Sequence, residues 1–308
     1  MKNMRWITKS MVLPTLLAVS VFTSCDKDED NTTPNDLVNV ATTNGLTSLV
    51  SAVNAAGLTS TLQGTGPFTV FAPTNAAFSA LPAAPADLKN TLLYHVLGGN
   101  IASGAVPTTL TGVVTANDAK DSVYVRRIGS NVYINGVKVD LADVTATNGV
   151  AHVIGSVLIP PTGNIVQTAV AAKFDSLAKA VTLASTGAGS EDLLTALANT
   201  KGLTVFAPTN QAFTNLLTAL GVSSIDAIPK ATLIAVLKYH VIGARVFSSD
   251  LTEGAKPGTL QGGTLTVSLA SGAKVLGNGN GTNASAITAA NIMAKNGVIH
   301  VIDRVLIP

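Results

Sequence analysis

Along this chain the apolar pattern changes period several times, and it does so twice in the same order. Over residues 37–62, Leu46, Leu49, Val50 and Val53 recur at three- and four-residue spacing, which predicts helix, and Gly57 breaks the run. A short apolar strand follows over residues 68–72. Pro73 stops it, having no N–H to give to a sheet, and Thr74-Asn75 supply N-cap side chains for the next helix. A second helical pattern covers residues 87–95, with Pro85 near its start, and ends in Tyr-His-Val. From there β-formers dominate. Residues 123–126, 132–134 and 137–139 read as strands, the last two joined by Asn135-Gly136, a strong type I′ hairpin signal. The apolar run 150–159 predicts a closing strand.

The same succession then repeats. Residues 164–198 carry a helical pattern (Ile165, Val166, Ala169, Phe174, Leu177, Val181) with a Gly-rich break at 187–189. The strand 203–207 ends at Pro208, followed by Thr209-Asn210, and a helix over 230–240, with Pro229 near its start, ends in Tyr-His-Val. Residues 264–269, 274–276 and 298–307 read as strands, and the Gly-Asn-Gly-Asn-Gly run 277–281 as a flexible hairpin tip. The letters repeat as well as the pattern. Phe-Ala-Pro-Thr-Asn stands at 71–75 and 206–210, Tyr-His-Val at 94–96 and 239–241. The segments 148–160 and 296–308 agree at 10 of 13 positions. The offset grows from 135 to 148 along the chain, so the second copy has gained loop residues while keeping its landmarks. The chain is a tandem duplication. Helices first and strands afterwards give each unit an α+β class, and only residues 161–163 separate the two, which restricts the inter-domain angle. The expected organisation is a leader at 1–24, a tether at 25–35, a first domain at 36–160 and a second at 164–308.

Composition changes the picture mainly at the N-terminus. Lys2, Arg5 and Lys9 precede an apolar stretch at residues 11–22, then Thr23-Ser24 and Cys25, the only cysteine. This resembles a bacterial lipoprotein signal, with Cys25 as the lipid-attachment residue. The acidic, polar run that follows cannot bury enough apolar surface to fold and reads as a solvated tether. Without residues 1–24 the formal charge falls from +2 to −1, because the leader holds three cations and no acid. That balance gives no electrostatic case for nucleic-acid binding. Placement in the cell envelope follows, lipid-anchored and expected at the outer membrane, exposed on the surface.

Thr-Val-Phe-Ala-Pro-Thr-Asn-x-Ala-Phe, the later Tyr-His and the terminal Asn-Gly-Val-x-His-Val-Ile-x-x-Val-Leu-Ile-Pro resemble the fasciclin domain, in the right order in both units. The resemblance implies two tandem β-wedge domains packed with helices. It further implies an extracellular role in adhesion or matrix interaction, with a cell-surface or matrix protein or polymer as partner. Some family members have Asp where this chain has Asn75 and Asn210; Asn caps a helix about as well, so the fold is expected to survive. The Tyr-His region has been implicated in receptor binding within the family, which marks Tyr94, His95, Tyr239 and His240 as candidate partner-binding residues, weighed against a core role for the same side chains.

Candidate chemistry is otherwise thin. The four histidines (His95, His152, His240, His300) all lie in the motifs, yet no cysteine and no His-x-x-x-His accompanies them, so no metal site is expected and hydrogen-bonded burial is. There is no Gly-x-Ser-x-Gly, and 277–281 lacks the Gly-Lys-Ser/Thr of a phosphate loop. The expectation is a non-enzymatic protein without a cofactor. The alternative function is a carrier of a lipophilic small molecule such as a pigment, held between helices and wedge.

Overall fold

The computed structural model describes residues 35–187 and 191–308, so the leader, Cys25 and most of the tether lie outside it. The described chain folds as two α+β halves within one compact unit.

The first half opens with three short helices, α1 (Leu37–Thr43), α2 (Thr47–Ala55) and α3 (Thr59–Leu62), in place of one continuous run. The breaks fall at Gly45 and Gly57, whose φ angles of 70° and 66° are left-handed values that glycine adopts without steric cost. Next come β1 (Phe68–Pro73), α4 (Asn75–Ser79), α5 (Leu88–Leu93) and β2 (Val96–Gly98). Five strands complete the half: β3 (Thr111–Val114), β4 (Ser122–Ile128), β5 (Asn131–Ile134), β6 (Val137–Ala146) and β7 (Gly149–Ile154). Asn135 and Gly136 both take positive φ, 48° and 77°, as a type I′ turn requires.

The second half repeats the plan, opening with α6 (Ile165–Ala171), as long as α1, and with α7 (Asp175–Ser185) and α8 (Leu193–Asn199), longer than α2 and α3. It continues with β8 (Leu203–Pro208), α9 (Asn210–Leu220), α10 (Lys230–Tyr239) and β9 (Val241–Ile242). The remaining strands are β10 (Thr266–Ser268), β11 (Lys274–Leu276), β12 (Ser285–Ala294) and β13 (Gly297–Ile302).

The sheets run β2-β1-β7-β6-β5-β4-β3 and β9-β8-β13-β12-β11-β10. In each, the first and last long strands of the half (β1 with β7, β8 with β13) pair in parallel, and the other pairings are antiparallel. β7 and β13 are buried at every residue, because helices cover one face and the wedge folds over the other. Two cores result in each half. Val70 and Ala72 of β1 face the helices with Leu49, Val53 and Leu92, while Phe71 faces the wedge with Tyr94, Ile134 and Ile154. Val205, Ala207 and Phe206 divide in the same way. Fully burying one such Leu or Phe contributes about 1.5–3 kcal/mol, so both faces of the central strands matter to stability.

Two expectations need correction. The apolar tails after β7 and β13 are not strands: the Leu158 and Leu306 N–H groups turn to histidine nitrogens and that of Ile307 to Asn280 Oδ1. Residues 277–281 are not a loose tip either. They form a 3₁₀ turn (Asn278–Asn280) on which the chain's last residues lie, with the Gly279 N–H donating to the Ile307 carbonyl and Ile307 N–H to Asn280 Oδ1.

Candidate partner-binding site

Tyr94-His95 and Tyr239-His240 stand where α5 and α10 hand over to β2 and β9. Their side chains are 0–2% exposed, so none of the four meets solvent. His95 Nδ1 lies 2.8 Å from the Thr91 carbonyl one helical turn back, and the Leu158 N–H approaches Nε2 at 2.8 Å. A carbonyl only accepts and a backbone N–H only donates, so Nδ1 carries the proton and Nε2 accepts. His240 repeats this with the Val236 carbonyl at 2.7 Å and the Leu306 N–H at 2.9 Å. Each ring therefore clasps a helix C-terminus to the closing segment of its own domain. Burial holds both imidazoles down at about 4, the helix carbonyl offsetting only part of that cost.

The tyrosines point into the wedge. Tyr94 donates to the Ser122 carbonyl and accepts from Asn135 Nδ2, both at 3.1 Å, and burial pushes its hydroxyl well above the ordinary range. Tyr239 donates to the Thr264 carbonyl at 2.6 Å and accepts the Asn278 N–H. As placed, these four candidates hold the framework and touch only the protein itself.

The other landmarks are staples too. His152 uses its nitrogens the other way round, Nε2 towards the Ile101 carbonyl and Nδ1 accepting from Asp143 N–H; His300 does so with Val246 and Asn291. Asn148 accepts from Leu37 N–H at the start of α1 and donates to the Leu62 and Gly64 carbonyls past α3. Asn296 ties Ile165 to Leu197 and Thr200 in the same manner. The glycine after each packs against a strand so closely that a Cβ would lie 2.1 Å from Phe68 O, or 2.5 Å from Leu203 O. In Phe-Ala-Pro-Thr-Asn it is Thr74 and Thr209 that cap, accepting from Ala77 and Ala212 N–H. Asn75 and Asn210 are first helical residues and reach elsewhere. Asn75 accepts from Ser48 N–H and donates to the Gly45 carbonyl, tethering α2; Asn210 does the same with Ser176 and Lys173.

What differs between the halves lies under the helices. The apolar space bounded by α1, α2 and the sheet has a volume of only 30 Å³, with His95 on its wall. Its counterpart under α6, α7 and α8, walled by His240, measures 150 Å³, and exposed Val170 and Leu194 belong to its lining. The halves also meet. Arg126 of β4 donates to Asp250 at 2.7 Å, the Arg245 guanidinium lies 4.1 Å from the Tyr124 ring centroid, and Tyr124 packs on Phe247. No sequence signal marked these residues, because they do not repeat: the motif registers set Asn100, Ala102 and Ala105 opposite Arg245, Phe247 and Asp250. Among the described residues no group of three or more His, Cys, Asp or Glu is placed to hold a metal ion, and no helix is long and apolar enough to cross a membrane.

The family model "Fasciclin domain" matches residues 44–160 and again 173–308. The chain belongs to the fasciclin-domain family. Relatives of this fasciclin-domain chain include transforming growth factor-beta-induced protein ig-h3 of Sus scrofa, 31% identical over 259 residues, covering 80% of this chain and 35% of that protein. Human periostin is 30% identical over 277 residues, covering 86% of this chain and 31% of periostin. Protein sll1483 of Synechocystis sp. is 41% identical over 127 residues, 37% of this chain and 66% of that protein. The chain thus spans about a third of the length of ig-h3 and periostin. Among solved structures, a FAS1 domain pair from the insect cell adhesion molecule fasciclin I matches at 18% identity with a TM-score of 0.42, covering 86% of this chain and 98% of that one.

Proposed function

We propose that this fasciclin-domain pair is a non-enzymatic cell-surface protein acting in adhesion or extracellular-matrix interaction, anchored by lipid on Cys25 and exposed at the outer membrane. One observation carries the reading. The polar groups of the shared motifs, including both nitrogens of all four histidines, are occupied by framework hydrogen bonds. That leaves the motifs no evident acid, base or nucleophile, and puts recognition on surfaces outside them. In this reading Tyr94, His95, Tyr239 and His240 serve a partner indirectly, by fixing the helix-to-strand turns near which it docks. Deleting the gene is expected to change cell attachment or aggregation; unchanged attachment across several surfaces would contradict the proposal. Cys25→Ala should abolish membrane association through lipid, and retention of the cleaved variant in the membrane fraction would contradict the anchor.

A second reading, carriage of a lipophilic small molecule, is favoured by the 150 Å³ apolar cavity of the second domain. An apolar space of that size accepts a small apolar guest, about as large as benzene. Protein purified from its native host should then yield an extractable hydrophobic ligand, and ligand-free protein would count against it.

A further inference from the structure

Where the two domains meet, a groove of 390 Å³ is lined by Arg126, Arg245, Asp250 and Lys256, with Leu110 and Pro257 among its apolar residues. That volume is within the range of about 300–1,000 Å³ usual for small-molecule sites, which also tend to sit between domains. Its charges are unequal. Arg126 and Asp250 neutralise each other in their 2.7 Å pair. Arg245 rests on the face of Tyr124 and donates from Nη1 to the Gly297 carbonyl at 2.6 Å, contacts that hold a cation without cancelling its charge. Lys256 is exposed and belongs to none of the three ion pairs of the described residues. Two positive charges are left over, in a chain whose formal charge beyond residue 24 is −1.

The duplication shows that the shared fold closes without the charged residues Arg245 and Asp250. At the positions of Arg245 and Asp250 the first domain has Asn100 and Ala105, and its strands close all the same. Arg126, Asp250 and the Arg245–Tyr124 contact join the domains. Lys256 joins nothing, yet it faces the same groove as the two guanidiniums. Guanidinium and ammonium groups converging on an apolar-walled cleft match a carboxylate or sulfate carried on a compact body.

We propose that the inter-domain groove binds a carboxylate- or sulfate-bearing small molecule or chain end, its anion between Arg245 and Lys256 and its apolar part against Leu110 and Pro257. The site is independent of the helical-layer cavity. It would exist only while the two domains stay joined, since each contributes to its walls.

The test is a calorimetric titration of the full chain in mild detergent at low salt, with digalacturonate, 4-phenylbutyrate and sodium sulfate as probes. Cellobiose and 4-phenylbutanol are the neutral counterparts. Saturable binding of an anionic probe, absent for its neutral counterpart and weakened by added salt, is the expected result. The preferred probe separates an acidic sugar, an apolar carboxylate and a sulfate as the source of the anion. Lys256→Glu should weaken that binding by roughly tenfold or more, as loss of a charged hydrogen-bond partner does, with Tm unchanged because the side chain is exposed. Lys256→Arg should retain it. The proposal is overturned if no anionic probe binds, if the neutral counterparts bind equally, or if Lys256→Glu leaves the affinity intact.

Discussion

The two domains share their hydrogen-bonded staples almost atom for atom and differ in what those staples enclose. Asn148 and Asn296 close the helical layer in the same way, and His95 and His240 clasp the same turn to the same tail. Yet the first domain's layer leaves 30 Å³ of apolar space and the second's 150 Å³. The hydrogen bonds that Asn75 accepts from Ser48 N–H and Asn210 from Ser176 N–H set the register of α2 against α7, which places Ala178 where the first domain has Val50. Both residues line their cavities. The difference teaches that the motifs prescribe a frame with little tolerance, while the helices hung on it are free to diverge.

The comparison breaks most violently at the buried asparagines. Asn148→Ala strands the Leu37 N–H and the carbonyls of Leu62 and Gly64, and should cost about 4 kcal/mol. Asn296→Ala should cost the second domain a similar amount, and urea unfolding of each variant checks both. Acid comes next. His95 and His240 stand near 4 in the folded protein against an ordinary value of 6.5, so the unfolded chain takes up protons first. Their contribution is complete above about pH 6.5, declines as pH falls, and is lost near pH 4, roughly 3 kcal/mol for each domain. Denaturant midpoints measured between pH 7 and 4 should fall accordingly.

Exchanging the cavity residues sharpens the contrast. Val50→Ala should destabilise the first domain by about 1.5 kcal/mol, whereas Ala178→Val should stabilise the second by up to about 1 kcal/mol while reducing uptake of an apolar dye. The smallest effect concerns the motif asparagines. Asn75→Asp keeps the acceptor for Ser48 but sets a carboxylate against the Gly45 carbonyl, and should cost about 1 kcal/mol by thermal melting.

Much of the frame was legible in the sequence because duplication prints it twice. The α+β order, the type I′ turn at Asn135-Gly136 and the strand stops at Pro73 and Pro208 follow from local chemistry. The role of Asn75 and Asn210 did not, because their partners lie 27 and 34 residues away and an N-cap was the nearer explanation. The closing tails looked like strands for a similar reason. Their apolar residues are core residues, but Leu158 and Leu306 spend their N–H groups on histidines 63 and 66 residues back. The junction was invisible to a reading that searched for repetition, since Arg126, Arg245 and Asp250 are what the copies do not share. Setting the copies against each other and keeping the differences would have picked out Arg245 and Asp250.

The central claim, that the repeated Tyr-His motif is a structural clasp, is tested most directly by the protonation of two rings. Long-range ¹H–¹⁵N NMR correlation spectra recorded from pH 7 down to 4 report the tautomer and titration of His95 and His240. The clasp requires the Nδ1–H tautomer in both, with Nε2 accepting, and no protonation until the pH approaches 4. Titration of either ring near 6.5, or a proton on Nε2, would contradict it.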